Sequence, residues 1–263
     1  MTTSHFFLTA WSWNPVVLGG CLAAILLYLY FFGWQRGILF LCLGLAIVMI
    51  ALASPLSALA DGYLFSAHMA QHILLLLVAP VCILLSLPRD LSLTTKANWL
   101  FHSGIGWLSG VGSMWLWHAP TFCNAAVSSR PIYALQSVSL LIFGSLFWWQ
   151  VLAPREQDRL SPLPAVGYLF SACTACSMLG IILTFSPVRV CAIYMQPVDQ
   201  LGLLGLIRDG WEMTPEKDQQ IGGLLMWVPM CLIYLAAIFS QLVRWFSPPT
   251  PALRTTIVSR NAL

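Results

Sequence analysis

Charged side chains are scarce in this sequence. Only 12 lysines and arginines and 9 aspartates and glutamates occur among 263 residues, whereas 59% of the residues are hydrophobic. Soluble domains carry about a quarter charged residues, so this composition excludes an ordinary water-soluble protein and indicates a lipid bilayer as the solvent. No two lysines or arginines are adjacent. Without a basic run, nucleic acid is excluded as a partner.

A hydrophilic segment long enough to fold as a separate soluble domain is also lacking. The longest one runs over 186–218, which is too short for an independent core. Its mixture of charged and aromatic residues indicates a folded-back outer loop with a short surface helix. No catalytic nucleophile or acid–base pair stands out, so we expect a protein that is not an enzyme.

The sequence contains seven charge-free stretches longer than 20 residues. A helix needs about 20 apolar residues to cross a bilayer. The run 73–78 shows no alternation of period two, which favours helices over a barrel. We therefore predict an all-α, polytopic membrane helix bundle with seven transmembrane helices in a single domain over 1–263. The spans are expected near 16–32, 38–60, 63–87, 99–118, 132–152, 163–185 and 221–244.

The orientation of the bundle follows from the distribution of basic residues, which concentrate on the cytoplasmic side of membrane proteins. With the N-terminus outside and the C-terminus cytoplasmic, the inner segments carry eight: Arg36, Arg89, Lys96, Arg155, Arg159, Arg244, Arg254 and Arg260. The outer segments carry four, namely Arg130 and three residues of the long loop, where charge has little influence: Arg189, Arg208 and Lys217. This orientation is the one we predict.

Two histidines provide the strongest sign of chemistry inside a span. His68 and His72 are four residues apart, so both imidazoles lie on one face of the third predicted helix. Imidazole is the commonest ligand of transition metals, and the pair is a candidate metal site. Met69 lies about 100° around the helix and is a less expected companion. A structural hydrogen-bonding pair and a role in proton transfer remain alternatives.

Two more polar residues fall in the same predicted leaflet as the histidine pair. His118 ends the fourth span and Asp218 precedes the seventh. With the pair, they form a candidate outward-facing metal site. Each has another interpretation: His118 stands beside Trp115 and Trp117 and fits an aromatic belt, while Asp218 fits an N-terminal helix cap and dipole partner.

Most of the eight cysteines fall within predicted spans, where they are expected to pack as small apolar residues. Cys173 and Cys176 share one face of the sixth span, and for them packing is favoured over a thiolate site for copper(I). Cys123 and Cys191 alone fall where an outer disulfide is possible. The sequence does not establish that pairing.

Several segments, in this order, resemble the CtaG family of cytochrome c oxidase assembly proteins, the seven-span integral-membrane type. The resemblance is carried by 67–75, 78–80, 117–120, 144–149 and 218–227. It implies an assembly or accessory factor for a haem-copper cytochrome c oxidase in a bacterial inner (plasma) membrane, with oxidase subunits and the lipid bilayer as partners. It also implies copper handling at the outer face. His68, His72 and His118 would then be ligands, with Asp218 in a supporting role.

One segment departs from the family pattern. Similar proteins tend to have an acidic residue and a histidine where this chain has Gln136 and Ser137. Three alternatives therefore stay open: a structural oxidase subunit without metal, a haem protein with His72 and His118 as axial ligands, and a copper transporter. The transporter is disfavoured, because the third span is wholly apolar from 73 to 85.

Overall fold

The computed structural model describes residues 2–91, 102–188 and 190–247, and all regular secondary structure in them is helical. The prediction of an all-α protein is confirmed. Lys96, Arg189, Arg254, Arg260 and the start of the predicted span 99–118 lie outside the described residues. The helices are α1 (Thr3–Thr9), α2 (Pro15–Phe32), α3 (Gly37–Ala53), α4 (Pro55–Ala60), α5 (Phe65–Ile73), α6 (Ala79–Ser86), α7 (Ser103–His118), α8 (Pro120–Ser128), α9 (Arg130–Leu152), α10 (Pro162–Phe185) and α11 (Pro215–Phe246).

Five helical segments of the described chain are long and apolar enough to cross a membrane. They are α2, the continuous segment from α5 to α6, α9, α10 and α11. α3 is apolar but has 17 residues, and α7 has 16. The protein is thus a helical membrane protein, whereas the number of seven spans and the orientation stay predictions.

Two helix boundaries differ from the ends of the predicted spans, and local capping explains both. The predicted span 38–60 is broken, because α3 ends at Ala53 and the Ser54 side chain caps α4, with Pro55 in the first helical position. α11 begins at Pro215 rather than near 221, because the Thr214 side chain accepts a hydrogen bond from the Lys217 amide. The long connection between α10 and α11 therefore ends at 214 rather than 218.

A π-turn, Leu74–Val78, joins α5 to α6 in one continuous segment. Pro80 has no amide hydrogen, so the Leu76 carbonyl four residues earlier cannot receive its α-helical hydrogen bond. Gly144 of α9 packs at this point, where a Cβ atom would overlap the Leu76 carbonyl oxygen. The glycine lets α9 approach the irregular turn closely.

The segment from α5 to α6 lies in the middle of the bundle. α5 packs against α4 and α11, and α6 packs against α3 and α9. α7 packs against α9, and α10 lies along α11. By contrast, α2 contacts α3 at the edge of the bundle. The candidate histidines of α5 are therefore placed in the core.

The α10–α11 connection, residues 186–214, folds back over the α5 end of the bundle. It contains two short helical turns, Ala192–Met195 and Leu206–Gly210. Leu203 and Ile207 pack with Phe6 of α1 and Leu64 in one buried cluster. A disulfide joins Cys191 of the connection to Cys123 of α8, with the Cα atoms 5.8 Å apart. The connection folds back as expected, and the structure pairs the two cysteines whose pairing the sequence left open.

Candidate metal-binding site

Three histidines meet in the core near the start of α5. The rings of His68 and His72, one turn apart, have centroids 4.5 Å apart, and the ring of His118, the last residue of α7, lies 5.0 Å from that of His72. Each is at most 3% exposed. The structure therefore brings together the histidine pair and His118 in one imidazole cluster.

The hydrogen bonding of His118 leaves one ring nitrogen facing a sulfur atom. Its Nδ1 lies 2.6 Å from the Met114 carbonyl oxygen, so Nδ1 carries the proton. In the neutral ring, Nε2 then presents a lone pair, and it lies 2.9 Å from the Met69 Sδ. A thioether has no hydrogen to donate. In this tautomer the two facing atoms both carry lone pairs, and both are of types that can ligate a soft cation.

Met69 contacts a histidine other than the pair considered in the sequence analysis. Its position about 100° around α5 takes it away from the histidine pair on that helix. The partner is instead His118, which approaches from α7 on the side of α5 where Met69 lies. Gly222 of α11 leaves room there, because a Cβ atom at that position would stand 3.2 Å from the Met69 Cγ and crowd Phe65.

Within residues 2–91, 102–188 and 190–247, none of the four ring nitrogens of His68 and His72 has a hydrogen-bond partner. Buried polar atoms without partners are rare in proteins and call for an explanation. Gln136 of α9 lies beside His72 without reaching hydrogen-bond geometry. Free imidazole nitrogens together with a thioether are the donor types that suit copper.

The cluster is not a preformed multi-ligand cage of the usual residue types. Among the residues that the structure describes, no group of three or more His, Cys, Asp and Glu side chains is placed to hold one metal ion. The closest donor pair is His118 with Met69, and His72 and His68 stand beside it. The metal-ligand roles of the three histidines and of Asp218 stay predictions.

Asp218 lies in the first turn of α11 and caps a different helix. Its carboxylate accepts hydrogen bonds from the Phe65 amide at 2.6 Å, the Ser66 amide at 2.9 Å and the Ser66 hydroxyl at 2.5 Å. The residue at the N-terminal cap of α5, Leu64, offers no side-chain hydrogen bond. The interpretation of Asp218 as the cap of its own helix is wrong, because Thr214 fills that place. Asp218 instead fixes the start of the helix that carries His68 and His72.

Tyr194 covers the cluster from the α10–α11 connection, and sequence reasoning missed it. Its hydroxyl donates to the Ala60 carbonyl at 2.8 Å, and its ring lies 6.1 Å from that of His68. Burial raises the pKa of Tyr194 well above its ordinary value, so the hydroxyl stays protonated. Its position three residues after Cys191 is the available signal, since the disulfide anchors this turn.

The cysteine pair of α10 does not form a site of its own. Cys173 donates to Cys231 of α11 across 3.5 Å, and Cys176 lies 3.9 Å from the Tyr234 hydroxyl oxygen. Both are free thiols that contact α11. Their placement agrees with packing between the two helices.

A family model described as cytochrome c oxidase caa3 assembly factor (Caa3_CtaG) matches residues 30–247. The chain belongs to this family. The matched region includes the whole imidazole cluster, Met69 and Asp218. The family resemblance inferred from the sequence segments is thereby confirmed.

The curated relatives of this Caa3_CtaG chain include three proteins described as uncharacterized. One, from Mycobacterium leprae (strain TN), is 22% identical over 206 residues, which cover 69% of this chain and 30% of the relative. Proteins from Mycobacterium bovis and Mycobacterium tuberculosis are 23% identical with the same coverage. The chain thus spans less than a third of the length of these relatives. No solved structure matches it.

Proposed function

We propose that this protein serves the assembly of a haem-copper cytochrome c oxidase by binding copper(I) at His68, His72, His118 and Met69. Membership of the Caa3_CtaG family supports the assembly role. The observation that carries the copper proposal is the close approach of His118 Nε2 to the Met69 sulfur beside the unpartnered nitrogens of His68 and His72. Copper would be cargo destined for the oxidase.

The chemistry of the cluster favours copper(I) over other biological cations. Thioether sulfur is a soft ligand that selects copper(I), and imidazole binds copper well. Hard ions such as magnesium and calcium need oxygen ligands, and the carboxylate of Asp218 is engaged by α5. Each histidine is at most 3% exposed, and such a buried site would protect a monovalent copper ion from water.

The proposal includes seven spans in a bacterial inner membrane, with the N-terminus outside and the C-terminus cytoplasmic. Two features at opposite ends of the bundle support this orientation. The disulfide Cys123–Cys191 lies at the histidine end, and disulfides persist in oxidising compartments outside the cytoplasm. Arg89, Arg155 and Arg244 lie at the other end, as expected for a cytoplasmic side. Copper would then be handled at the outer face, without enzymatic activity, in contact with oxidase subunits.

A structural oxidase subunit without metal is the second candidate. It is favoured by the lack of a three-ligand group in the described residues and by Ser137 in place of a histidine. The haem alternative has less support, because the rings of His72 and His118 contact each other at 5.0 Å and leave no space for a porphyrin between them.

Copper binding to the detergent-purified protein tests the proposal. After exposure to copper(I) under reducing conditions, we expect stoichiometric copper in the native chain and its loss in the His68→Ala, His72→Ala double variant. The control is His5→Asn, His102→Asn, which removes two exposed histidines while keeping a side chain that can cap α7. Met69→Leu removes the proposed thioether ligand and should weaken binding more than roughly tenfold, which is the lower bound of the loss seen for a mere outer-shell partner.

The two candidates give opposite results in this experiment. Copper in the native chain and the control, but not in the double variant, supports the copper site. Equal and negligible copper in all three proteins would refute it and leave the metal-free subunit. A visible Soret band would instead support haem.

A further inference from the structure

A cavity opens at the end of the bundle opposite the histidines. It has a volume of about 540 Å³ and is lined by Arg89, Arg155, Glu156, Gln157 and Arg244. The three arginines come from the segment after α6, the connection between α9 and α10, and the last turns of α11. Residues far apart in sequence thus place three guanidinium groups around one space.

Hydrogen bonds within the protein hold the chain segments next to this cavity. Arg159 donates from Nε to the Ala153 carbonyl at 2.6 Å and from Nη2 to the Pro154 carbonyl at 3.3 Å. Arg244 donates from Nη2 to the Leu160 carbonyl at 3.3 Å. The α9–α10 connection is therefore tied to itself and to α11. The cavity is a folded feature of the protein.

Positive charge is in excess around the cavity. Glu156 is the acidic residue among those that line it, against three arginines. Burial lowers the pKa of nearby Arg159, and the charges of Arg244 and Arg89 lower it further, while Glu156 opposes them. An arginine stays charged at neutral pH despite such a shift. The charges of Arg244 and Arg89 therefore act together at this end of the bundle, and an anion in the cavity would be attracted to them.

The concentration of basic residues on the cytoplasmic side explains arginines at this end, but not their convergence on one cavity. Arg36 shows the difference: it precedes Gly37, which packs against the Ser86 backbone, so it lies at the same end. It is exposed and does not line the cavity. Arg36 thus serves as a control residue: it has the same charge as the cavity arginines and lies at the same end of the bundle, but outside the cavity.

We propose that this cavity binds a phosphate group, carried by a phospholipid headgroup or by a soluble phosphate compound. Arginine forks bind phosphate oxygens in a bidentate manner, and basic pockets between membrane helices recognise anionic headgroups. A water molecule occupies about 30 Å³ in the liquid, so the cavity has room for a headgroup with its waters. The site lies at the ends of α6, α9 and α11, the level at which headgroups occur.

Lipid binding to the delipidated full chain in detergent tests this site, with native mass spectrometry as the readout. We expect phosphatidylglycerol to bind more tightly than phosphatidylcholine. Arg155→Gln should weaken that binding roughly fivefold, and Arg89→Gln with Arg155→Gln roughly 30-fold. Arg155→Lys should retain only part of the affinity, because lysine keeps the charge but lacks the fork. Arg36→Gln should leave the affinity unchanged.

Inorganic phosphate distinguishes the two sources of the group. If it displaces phosphatidylglycerol from the native chain and not from the double variant, the cavity takes soluble phosphate; if the lipid binds and phosphate does not compete, the ligand is the headgroup. Equal binding of both lipids without phosphate binding would overturn the proposal, as would equal losses in Arg36→Gln and Arg155→Gln. The melting temperature of each lipid-free variant shows whether the variant still folds. If Arg155→Gln unfolds the protein, the single variant Arg89→Gln replaces it, because Arg89 is exposed.

Discussion

Two spans of this protein have nearly the same mean hydropathy and opposite surroundings. The mean hydropathy is 2.1 for α2 and 2.2 for the segment from α5 to α6. Within the most apolar part of each span, however, 6% of the residues of α2 are buried inside the protein, against 61% for the segment from α5 to α6. Lipid tails are as apolar as leucine, so hydrophobicity does not decide which helix occupies the centre. Polar and small residues determine which helix lies at the centre of the bundle.

The polar side chains of α5 connect it to its neighbours on two sides. Gln71 donates to the Ala51 carbonyl of α3 at 2.6 Å, and Ser66 donates to Asp218 of α11 at 2.5 Å. Among the described residues, the comparable contact of α2 lies near its end, where the Tyr28 hydroxyl donates to the Ser86 carbonyl at 2.8 Å. The cost of leaving polar groups in lipid draws α5 into the core and leaves α2 at the edge.

The largest difference between the two spans is expected from adding one methyl group. Gly144→Ala should destabilise the protein by about 3 kcal/mol, because the new Cβ overlaps the Leu76 carbonyl oxygen in the central segment. Gly20→Ala in α2 has no atom within 4 Å of the new Cβ and should change stability by less than about 0.5 kcal/mol. Equilibrium unfolding in mixed detergent micelles measures both. Equal effects would contradict the difference in packing.

A smaller loss is expected from removing the cap of α5. Asp218→Ala leaves the buried amides of Phe65 and Ser66 without their acceptor and should cost about 2 kcal/mol. Asp218→Asn keeps one acceptor oxygen and should cost about half as much. The same unfolding assay applies. If the alanine variant is as stable as the native chain, the carboxylate does not hold α5 in place.

The smallest expected difference concerns two leucines. Leu76→Ala in the π-turn should cost about 2 kcal/mol, the lower end of the range for this change, because a residue that is 2% exposed leaves a cavity. Leu22→Ala in α2, where the side chain is 58% exposed, should cost less than about 0.5 kcal/mol, because lipid fills the space. Unfolding of the two variants side by side checks this, and a larger effect at Leu22 would show that another surface covers α2.

Much of the fold followed from the sequence because lipid imposes simple rules. Charge-free stretches gave the helices, and the spacing of His68 and His72 gave their shared face. The break at Ser54 and the early start of α11 were missed because caps outweigh hydropathy at helix ends. Hydropathy also could not rank α2 and α5 by burial.

The candidate site was predicted in part, and the missing parts depend on contacts between helices. His118 was expected near the histidine pair, but the contact of Met69 with His118 requires knowing the side from which α7 approaches. The cap provided by Asp218 to α5 spans 152 residues of sequence and has no local signal. Tyr194 depends on how the disulfide positions its turn.

The π-turn Leu74–Val78 has a consequence for how the chain tolerates insertions and deletions. A π-turn accommodates one residue more than an α-helical path through the same space. Deleting one residue there would leave a regular helix through the same space and keep the direction of α5, whereas inserting a further residue would rotate everything before it by about 100° relative to α6. His68 and His72 would then turn away from α7. The length of this leucine-rich run, more than its composition, sets the direction in which the histidines point.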